Sequence, residues 1–180
     1  MFLPKYPDSP TPPPANTHTP TEPTPVRRSL PSVSIDQKTV AALRHGVTPV
    51  VCVGETADDL EAHGPSAVPV AQLRVVLEAL DADADVVVAY EPVWAIGSGQ
   101  AATPEQAQQV CAALRATIAE VLGEDAAART RILYGGSVKS GNIAGFMNQK
   151  DVDGALVGGA SLDVDEFAAI ARFRQHVGTV

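Results

Sequence analysis

The sequence predicts an α/β fold in which parallel strands alternate with helices, preceded by a disordered segment. From residue 35 onward, short runs of Val, Ile and Leu alternate with amphipathic stretches of roughly 10 to 20 residues, the pattern of a parallel sheet covered by helices. Ten of the fifteen prolines fall within residues 1–31, where this alternation is absent. We therefore expect two segments, residues 1–34 and residues 35–180.

The first segment, residues 1–34, is rich in Pro and Thr and is expected to be disordered. Proline fixes φ and lacks a backbone donor, and too few apolar residues remain here to offset the entropy lost on ordering. A PxxP ligand for a recognition domain is a weaker interpretation. A wrongly assigned start that turns upstream coding sequence into this segment is a third.

Four apolar runs are predicted as strands because they lack polar alternation, as strands covered on both faces do. They are residues 49–53, 86–90, 131–134 and 154–157. Helices are predicted over residues 36–45, 68–80, 104–122, 142–148 and 165–175. The third helix has the clearest signals, since Thr103 suits the N-cap, Pro104 the first turn, Gln106 a capping box and Gly123 the stop. Gly46 suits the left-handed position after the first helix.

Composition narrows the classes of function. The net charge of -8, from 13 Lys+Arg and 21 Asp+Glu, argues against a nucleic-acid or acidic-membrane surface, because both attract basic clusters. No apolar run approaches the roughly 18 residues of a membrane span, and the first residues lack a signal-peptide stretch, so a cytoplasmic location is expected. Cys52 and Cys111 are predicted to be buried thiols, because they sit in apolar surroundings on a predicted strand and a predicted helix and lack the spacing of metal ligands.

The residues that follow the predicted strands are the candidates for a ligand site, because such sites lie at the carboxyl ends of parallel strands. Two strands are followed by a carboxylate and two by paired glycines: Glu55, Glu91, Gly135–Gly136 with Ser137, and Gly158–Gly159. Paired glycines let backbone N–H groups approach an anion, which suggests a phosphate site. The alternative is that the glycines only permit the turns.

Glu91 follows a wholly apolar strand and precedes Pro92, so its carboxylate should lie at the mouth of the sheet. When partly desolvated it could act as a general base; a salt bridge to a neighbouring Lys or Arg is the alternative. The stretch after it combines Trp94 and Ile96 with two glycines, which is how a mobile lid that excludes water would be built.

At these positions the sequence resembles the triosephosphate isomerase family. The runs AYEPVWAIGSG at 89–99, YGGSV at 134–138 and DGALVGGASL at 153–162 are similar to its last three strand ends, and TPVVCVGE at 48–55 to its fifth strand. The resemblance covers about residues 37–180 and implies the last four strand-helix units of a (β/α)8 TIM barrel. It further implies an enzyme of glycolysis and gluconeogenesis, a homodimer, and no cofactor or metal.

The resemblance also implies roles for individual residues. Glu91 would be the base that interconverts dihydroxyacetone phosphate and glyceraldehyde 3-phosphate through an enediolate. The phosphate would be bound by Gly97, Ser137, Gly158 and Gly159. The lid loop would comprise Pro92, Val93, Trp94, Ala95, Ile96, Ser98, Gly99, Gln100, Ala101 and Ala102.

The chain also departs from the family's pattern. Ser98 stands where Thr is common, and Gln100 where Lys is usual. The first four strands are absent, with their Asn-x-Lys, their carbonyl-polarising His and the loop that interlocks the dimer. His18, His45, His63 and His176 match no motif and are expected to be solvated. We therefore expect little or no isomerase activity from this chain alone; the alternative is a non-catalytic half-barrel that binds phosphate or self-associates.

Overall fold

The computed structural model describes residues 34–95 and 101–175, and these form a four-stranded, all-parallel sheet with helices between the strands. Strand order follows the chain, from β1 (Val50–Val53) through β2 (Val87–Tyr90) and β3 (Arg131–Tyr134) to β4 (Gly154–Ala155). Val50 pairs with Val87, and Val87 with Arg131, in parallel register. The predicted α/β fold, with the four predicted strands in parallel, is confirmed.

Seven α-helices surround the sheet within the described ranges. They are α1 (Ile35–Arg44), α2 (Ala57–His63), α3 (Ala67–Leu77), α4 (Pro104–Leu122), α5 (Glu124–Arg129), α6 (Ile143–Met147) and α7 (Val164–Ala171). Three short 3-10 helices cover Val93–Ala95, Gly159–Leu162 and Phe173–Gln175. Five of the seven helices were predicted, within a few residues at their ends.

Two helices, α2 and α5, were missed. A capping box starts α2, since the Thr56 hydroxyl accepts from the Asp59 N–H and the Asp59 carboxylate accepts from the Thr56 N–H. His63, expected to be solvated, is the last residue of α2 and is exposed. Gly123 ends α4 at φ 95 and also precedes α5 directly. Helices of one or two turns bury too few side chains to leave a periodic pattern in the sequence.

The predicted signals of α4 are confirmed. Thr103 is the N-cap, the Thr103 and Gln106 side chains each accept from the other's backbone N–H, and Pro104 opens the helix. One face of α4 is buried, with Val110, Leu114 and Ile118 fully inaccessible to solvent, so that α4 packs across the outer side of the sheet.

The core lies between the sheet and the helices, and the edge strand β1 contributes one face to it. Val51 and Val53 are buried, whereas Val50 and Cys52 are exposed. The prediction that Cys52 is buried is wrong, because in the described part of the chain nothing covers the second face of β1. Cys111, on α4, is buried as predicted.

The last strand and helix are shorter than predicted. β4 has two residues in place of four, although the Leu156 N–H still bonds to the Tyr134 carbonyl at 2.9 Å. α7 ends at Ala171, and a 3-10 turn follows it. The predicted disorder of residues 1–34 falls, apart from Ser34, outside the described residues. No helix among those residues is long and apolar enough to cross a membrane.

Candidate active site

The carboxyl ends of β2, β3 and β4 surround a cleft of about 800 Å³. Four of the predicted site residues line it together, namely Glu91, Ser137, Gly158 and Gly159. The other lining residues are Gly135, Gly136, Val138, Lys139, Leu156, Val157, Ala160, Asp163 and Glu166. The fold therefore brings the predicted base and three predicted phosphate-binding residues into one open space.

Glu91 is held where β1, β2 and β3 end. Its N–H donates to the Val53 carbonyl at 2.8 Å. Glycines flank it on both sides: a Cβ on Gly54 would overlap the Glu91 carbonyl oxygen, and a Cβ on Gly135 would lie 2.6 Å from Glu91 Cγ. Both glycines are therefore required by the close approach of Glu91. Because Gly135 has no side chain, the Glu91 side chain can cross the end of β3.

The surroundings of the Glu91 carboxylate help to distinguish a general base from the partner of a salt bridge. Within residues 34–95 and 101–175, neither Lys nor Arg forms an ion pair with it. The Glu91 carboxylate interacts electrostatically with the Cys52 thiol. Partial burial, and secondarily the negative charge of Glu91, raise the pKa of that thiol. Among the described residues, the half-buried carboxylate therefore has no cationic partner at the cleft.

Glu55, a ligand-site candidate by its position after β1, does not line the cleft but contacts the first end of the predicted lid. Its carboxylate is fully buried, and its Oε1 accepts from the Tyr90 hydroxyl at 2.8 Å and from the Trp94 indole N–H at 2.7 Å. Burial, then the hydrogen bond to Glu55, raise the pKa of Tyr90.

The predicted lid is described only at its two ends. Pro92 and Ala95 are buried, Val93 is exposed, and the Ala95 N–H donates to the Pro92 carbonyl at 2.9 Å. At the far end Ala101 is exposed and Ala102 is buried. Ile96, Gly97, Ser98, Gly99 and Gln100 lie outside the described residues. The role of this loop as a lid, and of Gly97 in binding phosphate, stay predictions.

The turn after β3 carries Ser137, whose side chain is exposed to the cleft. Asn142 organises this turn, since its side chain donates to the Ser137 carbonyl at 3.1 Å and accepts from the Lys139 N–H at 2.8 Å. A Cβ on Gly136 would collide with the Tyr134 hydroxyl, so only glycine fits there. Lys139, which matched no family motif, lines the cleft and supplies positive charge.

The turn after β4 carries the second pair of glycines. Gly158 and Gly159 are exposed, and a Cβ on either would meet nothing within 4 Å. The Gly158 carbonyl accepts from the Ser161 N–H at 2.9 Å and from its hydroxyl at 2.7 Å. The backbone is therefore fixed by Ser161 and remains open on the cleft side, as close approach to an anion requires.

Neither a metal nor a histidine electrophile is indicated at this cleft. No group of three or more His, Cys, Asp or Glu residues in the described ranges is arranged to hold a metal ion. His45 and His63 are exposed at the ends of α1 and α2, and neither lines the cleft. His18 and His176 lie outside the described residues.

Comparison with known proteins agrees with this geometry. The family model described as triosephosphate isomerase matches residues 27–174. A triosephosphate isomerase of Leifsonia xyli subsp. xyli is 70% identical over 154 residues, which is 84% of this chain and 60% of that relative. Those of Streptomyces coelicolor and Rhodococcus jostii are 51% and 53% identical over 79% and 74% of this chain.

The chain spans little more than half the length of the relatives it matches, between 52% and 60% for these three. Its matched part includes all four strands, the two glycine turns and Glu91. The chain belongs to the triosephosphate isomerase family.

Proposed function

We propose that this chain supplies the proton-transferring base and the phosphate-binding turns of a triosephosphate isomerase. The reaction is the interconversion of dihydroxyacetone phosphate and glyceraldehyde 3-phosphate, and the substrate is a small phosphorylated triose. The supporting observation is that Glu91 shares one cleft with Ser137, Gly158 and Gly159. A bound phosphate at those turns would place the carbon end of a triose beside the Glu91 carboxylate.

In this proposal Glu91 removes a proton from the hydroxyl-bearing carbon next to the carbonyl carbon of the substrate. The electron pair of that C–H bond forms the C=C bond of an enediolate, and the carbonyl oxygen takes up the negative charge. The hydroxyl proton passes to the former carbonyl oxygen, and the protonated Glu91 returns its proton to the former carbonyl carbon, so that the new C=O bond forms at the other carbon and no oxidant, reductant or cofactor is consumed. Confinement in a partly desolvated cleft would favour this transfer.

The phosphate would be held by the exposed backbone N–H groups of Gly158 and Gly159 and by the Ser137 hydroxyl, with Lys139 adding positive charge. Gly97 and the loop of residues 92–102 complete the proposal as a phosphate contact and a lid. Trp94, anchored to Glu55 at 2.7 Å, would fix the first end of that lid. Hinged loops of this kind exclude water during reaction.

Turnover by the chain alone is expected to be low. In the described part of the cleft, Lys139 is the one cationic side chain and no histidine is present. An enediolate oxygen without a hydrogen-bond donor loses stabilisation of roughly 3 to 4 kcal/mol. A purely non-catalytic phosphate-binding module is not favoured, because the matching family and relatives bear the name of the isomerase.

Complementation tests the proposal. The chain is assayed alone and then mixed with a separately produced amino-terminal fragment of the Leifsonia xyli relative, the part of it that this chain does not match. We expect isomerase activity from the mixture that Glu91→Gln abolishes and that Glu105→Gln, at an exposed carboxylate on α4, preserves. Activity that survives Glu91→Gln would contradict the assignment of the base.

The remaining expectations are part of the same proposal. The family implies a homodimer, although its interlocking loop lies in the part of the relatives that this chain does not match, and analytical ultracentrifugation of the full chain checks self-association. A cytoplasmic location suits a substrate that is a charged phosphate ester, because such esters do not cross a bilayer unaided; cell fractionation checks it. The domain boundary near residue 34 is checked by limited proteolysis.

A further inference from the structure

Glu166 and Ser140 form a double hydrogen bond across the cleft wall. Glu166 Oε1 accepts from the Ser140 backbone N–H at 2.7 Å, and Oε2 accepts from the Ser140 hydroxyl at 2.9 Å. Ser140 lies three residues after Ser137 in the turn that follows β3, and Glu166 lies in the first turn of α7. The contact therefore connects the two chain segments that carry the phosphate-binding candidates.

Each end of this contact is fixed within its own segment. The Glu166 N–H donates to Oδ1 of Asp163, the N-cap of α7, at 2.9 Å. On the other side, Asn142 binds Lys139 and Ser137 within the turn after β3. In the ranges 34–95 and 101–175, no other side-chain hydrogen bond joins that turn to the segment from Gly158 to α7.

Without its hydrogen bonds to Ser140, the Glu166 carboxylate would be unfavourable at this position in the cleft. Glu166 lines a cleft proposed to bind a phosphate dianion, together with Asp163 and Glu91 and against the single positive charge of Lys139. Its charge alone would weaken phosphate binding. Both of its oxygens, however, are directed to Ser140, and a charged acceptor makes stronger hydrogen bonds than a neutral one.

We propose that Glu166 is a positioning residue for the phosphate site. It sets the separation between the turn that bears Ser137 and the turn that bears Gly158 and Gly159, so that both reach the same phosphate group. A binding geometry requires such outer support because small displacements of the contacting groups are costly. The inference rests on the proposed phosphate site and adds a residue that does not touch the substrate.

The direction in which Glu166→Ala changes the affinity for phosphate distinguishes a positioning role from an effect of charge alone. Inorganic phosphate is titrated into the full chain, and binding is followed through the amide resonances of Ser137, Gly158 and Gly159. If Glu166 acts only through its charge, Glu166→Ala tightens phosphate binding. If it positions the two turns, the same substitution weakens binding, by roughly tenfold, the lower end of the loss on removing an outer support.

Asp165→Ala is the matched control. Asp165 is exposed in the same first turn of α7, and its replacement by Ala removes the same charge. We expect unchanged or slightly tighter binding from it. Ser140→Ala removes one of the two hydrogen bonds and is expected to give a smaller loss than Glu166→Ala. Combined with Glu166→Ala it should add nothing further, since the two residues act through one contact.

Glu166→Gln is a second variant for the case that Glu166→Ala misfolds, because the Gln amide is isosteric with the carboxylate and retains one acceptor oxygen. We expect a loss of phosphate affinity between those of the unchanged chain and Glu166→Ala, with an unchanged thermal transition. Binding as tight as that of the unchanged chain in both Glu166 variants would overturn the positioning role and leave the phosphate site standing. Absence of phosphate binding by the unchanged chain would instead remove the proposed site, and the positioning role with it.

Discussion

The Glu55 carboxylate accepts a hydrogen bond from the indole N–H of Trp94 at 2.7 Å, and the same oxygen accepts one from the Tyr90 hydroxyl at 2.8 Å. Glu55 follows β1, whereas Tyr90 ends β2 and Trp94 begins the loop beyond it. One buried carboxylate thus fixes the first end of the proposed lid against the neighbouring strand.

Replacing Glu55 should lower the stability of the chain and loosen Trp94. Glu55→Gln substitutes an amide for a carboxylate acceptor, and we expect the free energy of unfolding to fall by about 1 to 3 kcal/mol, the range for impaired buried hydrogen bonds. Trp94 is the single tryptophan of the chain, so its emission should shift to the red as its anchor weakens. Urea denaturation and fluorescence check both.

Glu61→Gln is the control for that substitution, because Glu61 is an exposed carboxylate on α2. It should change the free energy of unfolding by less than about 0.5 kcal/mol. Equal stability and emission of the Glu55→Gln and Glu61→Gln chains would show that the buried contact does not anchor Trp94.

Gly135 should be intolerant of a side chain for a reason specific to Glu91. A Cβ at Gly135 would lie 2.6 Å from Glu91 Cγ, and a flexible side chain can swing away where a backbone cannot. We therefore expect Gly135→Ala to fold, with at most about 2 kcal/mol lost, while isomerase activity of the complemented protein falls about 100-fold through misplacement of the base.

Gly141→Ala is the matched control in the same turn, since a Cβ there meets nothing within 4 Å. It should retain both stability and activity. Gly54→Ala is the opposite case, because its Cβ would overlap the Glu91 backbone, and it should prevent stable folding. Full activity of the Gly135→Ala chain would show that Glu91 has another productive position.

The elements that the sequence predicted well are those in which burial leaves a pattern. Residues 86–90 are apolar throughout because β2 is covered on both faces. The long helix α4 carries its own start and stop signals in Thr103, Pro104 and Gly123. The short helices α2 and α5 were missed because they bury little, so their sequences resemble loops.

Glu91 could be predicted as a site residue because its carboxylate and its position after a strand are both visible in the sequence. Residues whose role depends on a neighbour that is distant along the chain were missed. Cys52 was assigned to the core because its run is apolar, yet its strand lies at the sheet edge. Glu166 is 26 residues from Ser140. No local spacing connects a helix in one strand-helix unit with a turn in another.

The ion pairs of Arg115 should stabilise the region at the amino-terminal ends of β3 and β4. Its guanidinium binds Asp151 at 2.9 Å and Asp153 at 2.6 Å, and these side chains are 21%, 13% and 35% exposed. It also donates to the Ala127 and Thr130 carbonyls. We expect Arg115→Met to lower the free energy of unfolding by roughly 2 to 4 kcal/mol, since the two carboxylates lose their cation and the carbonyls of Ala127, Thr130 and Asp151 lose a donor.

Arg74→Met tests whether burial, and not ion pairing as such, produces this effect. Arg74 binds Glu120 at 2.6 Å, but the two side chains are 36% and 64% exposed, and such pairs contribute at most about 1 kcal/mol. Urea denaturation of both variants checks the difference. Equal losses would contradict it, and high salt should reduce only the Arg74 contribution.

The two cysteines should differ in reactivity, and Glu91 should control the reactive one. Burial raises the pKa of Cys111 to about 12, so this thiol should resist alkylation in the folded chain. Cys52 is exposed and should react. Its own pKa is raised by partial burial and by the Glu91 carboxylate, so its thiolate fraction at about pH 8 lies below that of a free thiol.

Removing the Glu91 charge should therefore accelerate the alkylation of Cys52. The negative charge of the carboxylate disfavours the thiolate by repulsion, so Glu91→Gln lowers the thiol pKa and raises the thiolate fraction at a given pH. The rate–pH curve should shift to lower pH, with iodoacetamide labelling followed by intact-mass spectrometry. Cys52→Ser should abolish labelling and Glu105→Gln should leave the curve in place. An unshifted curve in the Glu91→Gln chain would mean that the carboxylate does not face the thiol, and the placement of the proposed base beside β1 would then be wrong.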